Sequence, residues 1–370
     1  MTPPLVTVLM AVHNGVRFVD EAIGSILRQS LSDFELLIVD DGSTDQTPGH
    51  IRAFGDPRIR CVRNDTNIGL TRSLNEGLGL ARGAFIARQD ADDISHPGRL
   101  SAQVDFLHRQ PEVAVLGTQA RMIDAGKRRV SVAPWPKSTS NRAIRWQLIF
   151  DSPFIHSSVM FRKPVIAALG GYDDSFATSQ DFELWSRVAA AGYEMRNLPD
   201  ALLDFRVHEA SVSSGYRLDG VAKLHAVLLD NLAVQLGAAA IPADWPDTWI
   251  RMNNPRVFPA SADAPSAVAE AIDSIYVRFV DRYPEAENDR EIHRHLAAML
   301  IRLASSSAER GWMTSLVPFT RASLLEPMMA GHALPRYVAQ LAIGQWRMWS
   351  RHKRHTPAGK QDAAACRKSE

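Results

Sequence analysis

Glu35-Leu36-Leu37-Ile38-Val39 runs without a break into Asp40-Asp41-Gly42-Ser43-Thr44-Asp45. The apolar run is short enough for one strand, and its lack of alternation marks a strand covered on both faces. The change to carboxylates, glycine and hydroxyls is abrupt, as expected where a sheet of this kind ends at a polar crevice. Gly42 permits a tight turn, and Ser43 and Thr44 are expected to cap a helix that continues to about Phe54. A carboxylate here can accept hydrogen bonds from a ligand's N–H or hydroxyl groups. A capped strand-to-helix turn is the plainer reading of the segment taken alone.

The flanking sequence repeats the same grammar. Leu5 to Val12 is an apolar, β-branched run bounded by Pro4 and Asn14, and Phe18, Val19, Ala22, Ile23, Ile26 and Leu27 then recur at helical spacing. Downstream come a strand at Ile59 to Val62, a helix marked by Leu70, Leu74, Leu78 and Ala81, and a strand at Ala84 to Ala87. Strands alternating with helices predict an α/β fold whose mostly parallel, Rossmann-like sheet carries helices on both faces. Pro97 suits the first position of a helix running to about His108. Val113 to Ile123 reads as extended, His156 to Arg162 alternates like a strand, and Phe182, Leu184, Trp185, Val188 and Ala189 form a helical stripe. Ala201 to Val207 is the last predicted strand.

Beyond Tyr216 the strand alternation stops. Residues 217–240 read as helical, with further helical stretches around 264–282, 290–308 and 334–350. The expected organisation is an α/β domain over 1–215, a helical domain over 216–350, and a basic, mobile tail over 351–370.

A second acidic cluster, Asp90-Ala91-Asp92-Asp93, follows directly on the strand at 84–87. Carboxylates this close repel one another unless a cation or hydrogen-bond donors sit among them. Mg²⁺ and Mn²⁺ favour one or two carboxylates together with phosphate oxygens, so a metal-bound diphosphate is a natural occupant. A solvated acidic turn is the competing reading. Two acidic clusters at strand ends of one parallel sheet converge on a single crevice.

In order and spacing, these segments resemble the inverting family 2 glycosyltransferases with a GT-A fold. The resemblance extends from Val6 to about Ser213. It rests on Thr7 to Asn14, Ser25-Ile26-Leu27-Arg28-Gln29-Ser30, Val39 to Asp45, Asn67-Ile68-Gly69, Asn75-Glu76-Gly77 and Ala81 to Ile86. It continues with Asp90-Ala91-Asp92-Asp93 at the DXD position, Pro97 with Arg99-Leu100, Gly170-Gly171-Tyr172, and Gln180-Asp181-Phe182-Glu183-Leu184-Trp185. Two positions depart from the family pattern: His13 stands where tyrosine is usual, and Gln180 where glutamate is usual.

The resemblance implies a nucleotide-sugar donor, a glycan or lipid-linked acceptor, a divalent cation (Mn²⁺ or Mg²⁺), and a role for each matching residue. Ala11 and His13 would line the nucleotide pocket, Asp41 would bond the base, typically uracil, and Asp40 would support that turn or the ribose. Arg72 would lie near the nucleotide. Asp90 would reach the ribose, or the metal through water, and Asp92 would ligate the metal directly. His208, after the last predicted strand, would be a third metal ligand or a phosphate contact. Asp181 would be the catalytic base, taking the acceptor's proton as its hydroxyl attacks the anomeric carbon.

Composition excludes several other classes. Of 370 residues, 45% are hydrophobic and 22% charged, with a net charge of +1, which is the balance of a globular protein without a nucleic-acid signature. Cys61 and Cys366 are the only cysteines, too few for a disulfide framework, and they fit a reducing cytoplasm. No signal peptide and no spanning apolar run is read from the sequence, so the expected location is cytoplasmic. Trp346 and Trp349 beside Arg351, Lys353 and Arg354 suit a peripheral contact with the inner face of a membrane, or a terminal helix packing its tryptophans. The helical domain offers a surface for a homodimer. A nucleotidyltransferase would need a glycine-rich basic loop after the first strand, where His13-Asn14-Gly15-Val16-Arg17 stands instead. A scaffold without activity, kept on the same fold, is the other alternative that Gln180 and His13 leave open.

Overall fold

The computed structural model describes residues 2–130, 137–208, 221–237, 265–308 and 312–326. Chain contacts divide it into two compact units, Met1–Pro259 with Ile275–Ile292, and Ala260–Ser274 with His293–Glu370. The helix expected at 334–350, the basic tail and Ser211 to Ser213 lie outside the described residues.

The first unit is built on one eight-stranded sheet. In chain order its elements are β1 (Val6–Val12), α1 (Val19–Leu27), β2 (Phe34–Asp40), α2 (Thr47–Ala53), β3 (Ile59–Arg63) and α3 (Leu70–Leu80). Next are β4 (Phe85–Arg88), β5 (Ile94–Ser95), α4 (Arg99–Arg109), β6 (Val113–Ile123) and α5 (Asn141–Leu148). The series ends with β7 (Met160–Arg162), α6 (Lys163–Ala168), α7 (Gln180–Ala190), β8 (Glu194–Arg206) and α8 (Val221–Leu236). Across the sheet the order is β3-β2-β1-β4-β7-β6-β8-β5. β1 pairs in parallel with β2 and β4, β2 with β3, and β6 with β8, whereas β7 runs antiparallel to both its neighbours and β5 antiparallel to β8.

β1 and β2 are buried along their whole length, which explains why their sequences do not alternate. Ala22, Ile23 and Ile26 of α1 pack with Val8, Met10 and Leu36 in one core. At the other end of these strands, buried Glu35 accepts from Thr7 Oγ1 at 2.7 Å and Arg82 Nε at 2.8 Å. A Cβ on Gly83 would stand 2.7 Å from the Val6 carbonyl carbon, so only glycine lets the chain pass so close to β1.

Several expected boundaries move, each for a local reason. Helix α2 starts at Thr47, and the carboxylate of Asp45, not Ser43 or Thr44, accepts the Thr47 N–H at 2.9 Å. Pro97 precedes α4, and its carbonyl takes the Ser30 N–H at 2.8 Å. The segment expected as a strand from His156 opens with a 3₁₀ turn over His156–Ser158, and only Met160–Arg162 joins the sheet. There Ser157 bonds to the Asp93 carboxylate and Ser158 Oγ to the Thr118 carbonyl at 3.2 Å, which turns the chain before it straightens. β8 begins at Glu194, and its pairing with β6 slips between Thr118 and Gln119, so the irregularity at Pro199 and Asp200 hides its first half from a pattern search.

Among the described residues after β8 only helices occur: α8, then Pro265–Arg282, a short 3₁₀ turn at Pro284–Asn288, Arg290–Ala308 and Trp312–Leu325. Within the first unit, Phe279 packs its ring 5.3 Å from that of Trp146 on α5. Glu291 accepts the N–H groups of Thr139 and Ser140 at the start of the same helix. No described helix is long and apolar enough to cross a membrane.

Candidate active site

The register that pairs Val6 with Phe34 also pairs Val12 with Asp40, so the loops after β1 and β2 emerge side by side. Asn14 stitches them together. Its backbone is left-handed, with φ 53°, a conformation asparagine tolerates better than most residues. Its N–H donates to Ser43 Oγ at 2.9 Å, and its Oδ1 accepts from the Thr44 N–H at 2.8 Å. Nδ1 of His13 lies 2.8 Å from the Asp41 carbonyl oxygen. A carbonyl can only accept, so Nδ1 carries the proton and Nε2 receives Asn14 Nδ2 at 3.2 Å.

The paired aspartates of the β2 loop have different surroundings. Asp40 is fully buried; Oδ1 accepts the Ser43 N–H at 3.0 Å, and Oδ2 lies 3.5 Å from Arg63. Asp41 reaches across to the segment before α3, accepting Asn64 Nδ2 at 3.0 Å, the Ile68 N–H at 2.8 Å and the Gly69 N–H at 2.9 Å. Burial pushes its carboxyl up, but these donors outweigh burial and hold it below the ordinary value. Asp41 thereby fixes the start of α3, where Arg72 stands exposed in the first turn.

Asp41→Asn should lower the unfolding free energy by about 2 kcal/mol, because the amide cannot accept from all three donors. A folded-state pKa below the unfolded one stabilises above the unfolded pKa, and the effect disappears as pH falls through the folded value. The gap between variant and parent should therefore hold from about pH 8 to about pH 5 and close only in stronger acid. Denaturation curves across that range check it; a gap that shrank steadily from neutral pH would contradict this assignment.

β4 places Arg88 opposite Leu9, which brings the residues after it level with the end of β1. Asp93 is buried and structural: Oδ1 accepts the Arg206 N–H at 2.7 Å, and Oδ2 accepts the Ser157 hydroxyl. Burial, with the charges of Asp90 and Asp92, raises its carboxyl well above the usual value. Asp92 is raised by burial and by Asp90, against the pull of His208. Nε2 of His208 lies 2.9 Å from Oδ2 of Asp92, joining residues 116 positions apart. Asp90 takes a guanidinium N–H of Arg88 at 2.5 Å.

Ligand atoms of Asp90, Asp92 and Asp93 fall within 4.8 Å of one another. Clustered carboxylate oxygens with an imidazole beside them form a donor set that suits a small, hard divalent cation. Burial raises the carboxyls of Asp92 and Asp93 most, and the neighbouring carboxylates add a repulsion that such an ion would relieve.

Asp181 is the second residue of α7, which opens from Ser179 in the left-handed region at φ 60°. Glu183 on the same turn is engaged by Arg187, Nε to Oε1 at 2.5 Å, and Gln180 is buried. Asp181 makes no hydrogen bond or ion pair with the described residues. His156 and Tyr172 both lie in the fields of Asp181, Asp90 and Arg88, so the α7 terminus and the acidic loop after β4 share one neighbourhood.

The sequence profile of glycosyl transferase family 2 matches residues 7–170. The chain is 36% identical over 214 residues to EpsE of Bacillus subtilis, covering 56% of this chain and 74% of that protein. It is 32% identical over 211 residues to the O-antigen biosynthesis glycosyltransferase WbnJ of Escherichia coli, covering 56% and 81%. The chain belongs to glycosyltransferase family 2. Its fold is similar to that of S. aureus TarS 1–349, solved in complex with UDP-GlcNAc, with a TM-score of 0.55 at 16% identity over 88% of this chain and 91% of that one. The architecture is GT-A, and the chain is a glycosyltransferase.

In this family 2 glycosyltransferase, three buried arginines that hydropathy reads as surface residues organise the acidic loop. Arg88 bonds to Asp90 and to the Gln89 carbonyl. Arg99 donates to the Arg88 carbonyl at 2.6 Å and to Gln89 Oε1 at 3.0 Å, and burial pushes it down to about 9. Arg206 donates to the Asp92 carbonyl and to Glu21 Oε2, each at 2.7 Å, with its guanidinium 4.4 Å from the Phe18 ring centre. Arg99 was visible in the sequence as part of a motif; nothing in the spacing singled out Arg88, Arg206 or Asn64.

Proposed function

We propose that this glycosyltransferase moves one sugar from a UDP-linked donor to an acceptor hydroxyl by single displacement, inverting the anomeric carbon. The observation that carries the reading is the contact between Asp92 and His208 within the carboxylate cluster, in the same neighbourhood as an Asp181 that no described residue engages. Asp92 and His208, with Asp90 behind them, would hold a divalent cation. Such an ion, when bound, offsets the negative charge that develops on the diphosphate leaving group. Ala11, His13 and Asp41 would frame the base, Asp40 supports the turn beneath it, and Arg72 would lie beside the nucleotide. Asp181 would take the acceptor's proton.

The UDP-GlcNAc bound by TarS, which shares the fold, supports a uridine nucleotide. The O-antigen role in the name of WbnJ supports a glycan or lipid-linked acceptor in bacterial surface glycan assembly.

Calorimetric titration with UDP, GDP, dTDP and CMP, each with and without Mn²⁺, tests the donor site. The expected result is metal-dependent binding of UDP alone. Metal-dependent binding of a different nucleotide would replace the uridine assignment, and no binding by folded protein would favour a scaffold that has lost activity.

A further inference from the structure

The 3₁₀ turn at His156–Ser158 has polar contacts in two directions. Ser157 bonds to the buried carboxylate of Asp93, and so fixes the turn to the acidic loop after β4. His156 looks toward α7: its ring centre is 6.4 Å from that of Trp185, one helical turn beyond Asp181 and on the same side of that helix. Nε2 of His156 lies 2.9 Å from the hydroxyl of Tyr172. Tyr172 is held in turn by Asn75 of α3, which accepts its N–H at 2.9 Å and donates to its carbonyl at 2.8 Å. The turn therefore bridges the acidic loop, through Ser157, and the helix that carries Asp181, through His156, whose Nε2 is fixed and whose Nδ1 is without a partner among the described residues.

We propose that Nδ1 of His156 hydrogen-bonds a hydroxyl of the sugar being transferred, making His156 a positioning residue for the donor sugar. The inference rests on the donor-site reading given above. Under that reading the sugar hangs from the diphosphate and must present its anomeric carbon toward Asp181, and His156 borders the space between the two.

The chemistry of the ring fits the task. Burial, with the Arg88 guanidinium, pushes the imidazole down to about 4, against the opposing pulls of Asp181 and Asp90. A neutral ring can meet an uncharged hydroxyl without bringing a second cation beside Arg88. Tyr172 fixes the rotation, and if its hydroxyl donates to Nε2, Nδ1 is left carrying the proton toward the ligand. A ring oriented in advance forms such a bond at little entropic cost.

Asparagine and glutamine separate this role from a structural one. The amide of asparagine falls near the Nδ1 position, that of glutamine near Nε2, where Tyr172 binds. The parent, His156→Ala, His156→Asn and His156→Gln would each be titrated with UDP and with UDP-glucose, UDP-galactose and UDP-N-acetylglucosamine in the presence of Mn²⁺. In His156→Ala, the sugar nucleotide that the parent binds best should weaken about tenfold, while UDP stays within about twofold. His156→Asn should recover most of the loss, and His156→Gln should not.

Recovery by glutamine instead of asparagine, or equal weakening of UDP and the sugar nucleotide, would overturn the proposal in favour of a packing role. A parent that binds UDP while all four proteins bind the sugar nucleotides alike would overturn it and leave the donor-site reading standing. A folded parent that binds neither UDP nor any conjugate would remove the donor-site reading and this inference with it. Should His156→Ala fail to fold, the contrast between asparagine and glutamine still decides.

Discussion

Asp181→Asn is expected to cut sugar transfer by about a thousandfold or more, with metal and UDP affinity within about twofold of the parent. The substitution keeps the size and hydrogen-bonding shape of the side chain but removes its capacity to take a proton. The residues proposed to hold the nucleotide and metal sit at the ends of β1 and β2 and just after them, in the first turn of α3, after β4 and at His208, whereas Asp181 opens α7. Neither neighbour can take over the role: Gln180 is not an acid, and Glu183 is bound by Arg187. Steady-state rates alongside calorimetric affinities check this, with kcat falling and KM for the donor nearly unchanged. Transfer at the parental rate would remove Asp181 as the base.

Asp92→Ala should weaken Mn²⁺-dependent UDP binding about a hundredfold or more, leaving only the weak binding expected without metal. The variant deletes the carboxylate that His208 faces at 2.9 Å, so a cation would lose its principal oxygen ligand and the partner that orients the imidazole. Asp92 is only partly buried, so the protein should still fold. The neighbouring Asp93→Ala provides the contrast. Asp93 accepts from the Arg206 N–H and the Ser157 hydroxyl, so its loss should lower the unfolding temperature as well as activity. Unchanged metal affinity in Asp92→Ala would reassign the ligand.

Much of the fold was legible because its organising strands are covered on both faces. The apolar runs at β1 and β2 have no other reading, and the acidic loops after β2 and β4 end their strands abruptly. What escaped was short or polar. β5 has two residues, Ile94 and Ser95, too few for any period, and β7 reverses direction within a sheet whose other central strands are parallel. Asp92 and His208 were joined only through the family resemblance, as ligands of one metal; their contact spans 116 positions, and local spacing holds no trace of it. Arg88, Arg99 and Arg206 show the same limit from another side. Hydropathy assigns arginine to the surface, yet each is buried here because carbonyls and carboxylates supply acceptors for its fork of donors. Asp41 illustrates a subtler case: its place was evident, but its bonds to Asn64, Ile68 and Gly69 became evident only once β3 and the start of α3 were in position.

The left-handed Asn14 has a consequence for how selectivity arises at this end of the molecule. Because its side chain ties Thr44 and its N–H meets Ser43, the loops after β1 and β2 are held to each other by the chain's own hydrogen bonds. Under the donor-site proposal, an arriving base would meet loops that are already tied together, and little of its affinity would go into ordering them. Discrimination among nucleosides should therefore track the fit of the heterocycle itself, rate constants for association should vary little across them, and differences should appear in how long each one stays.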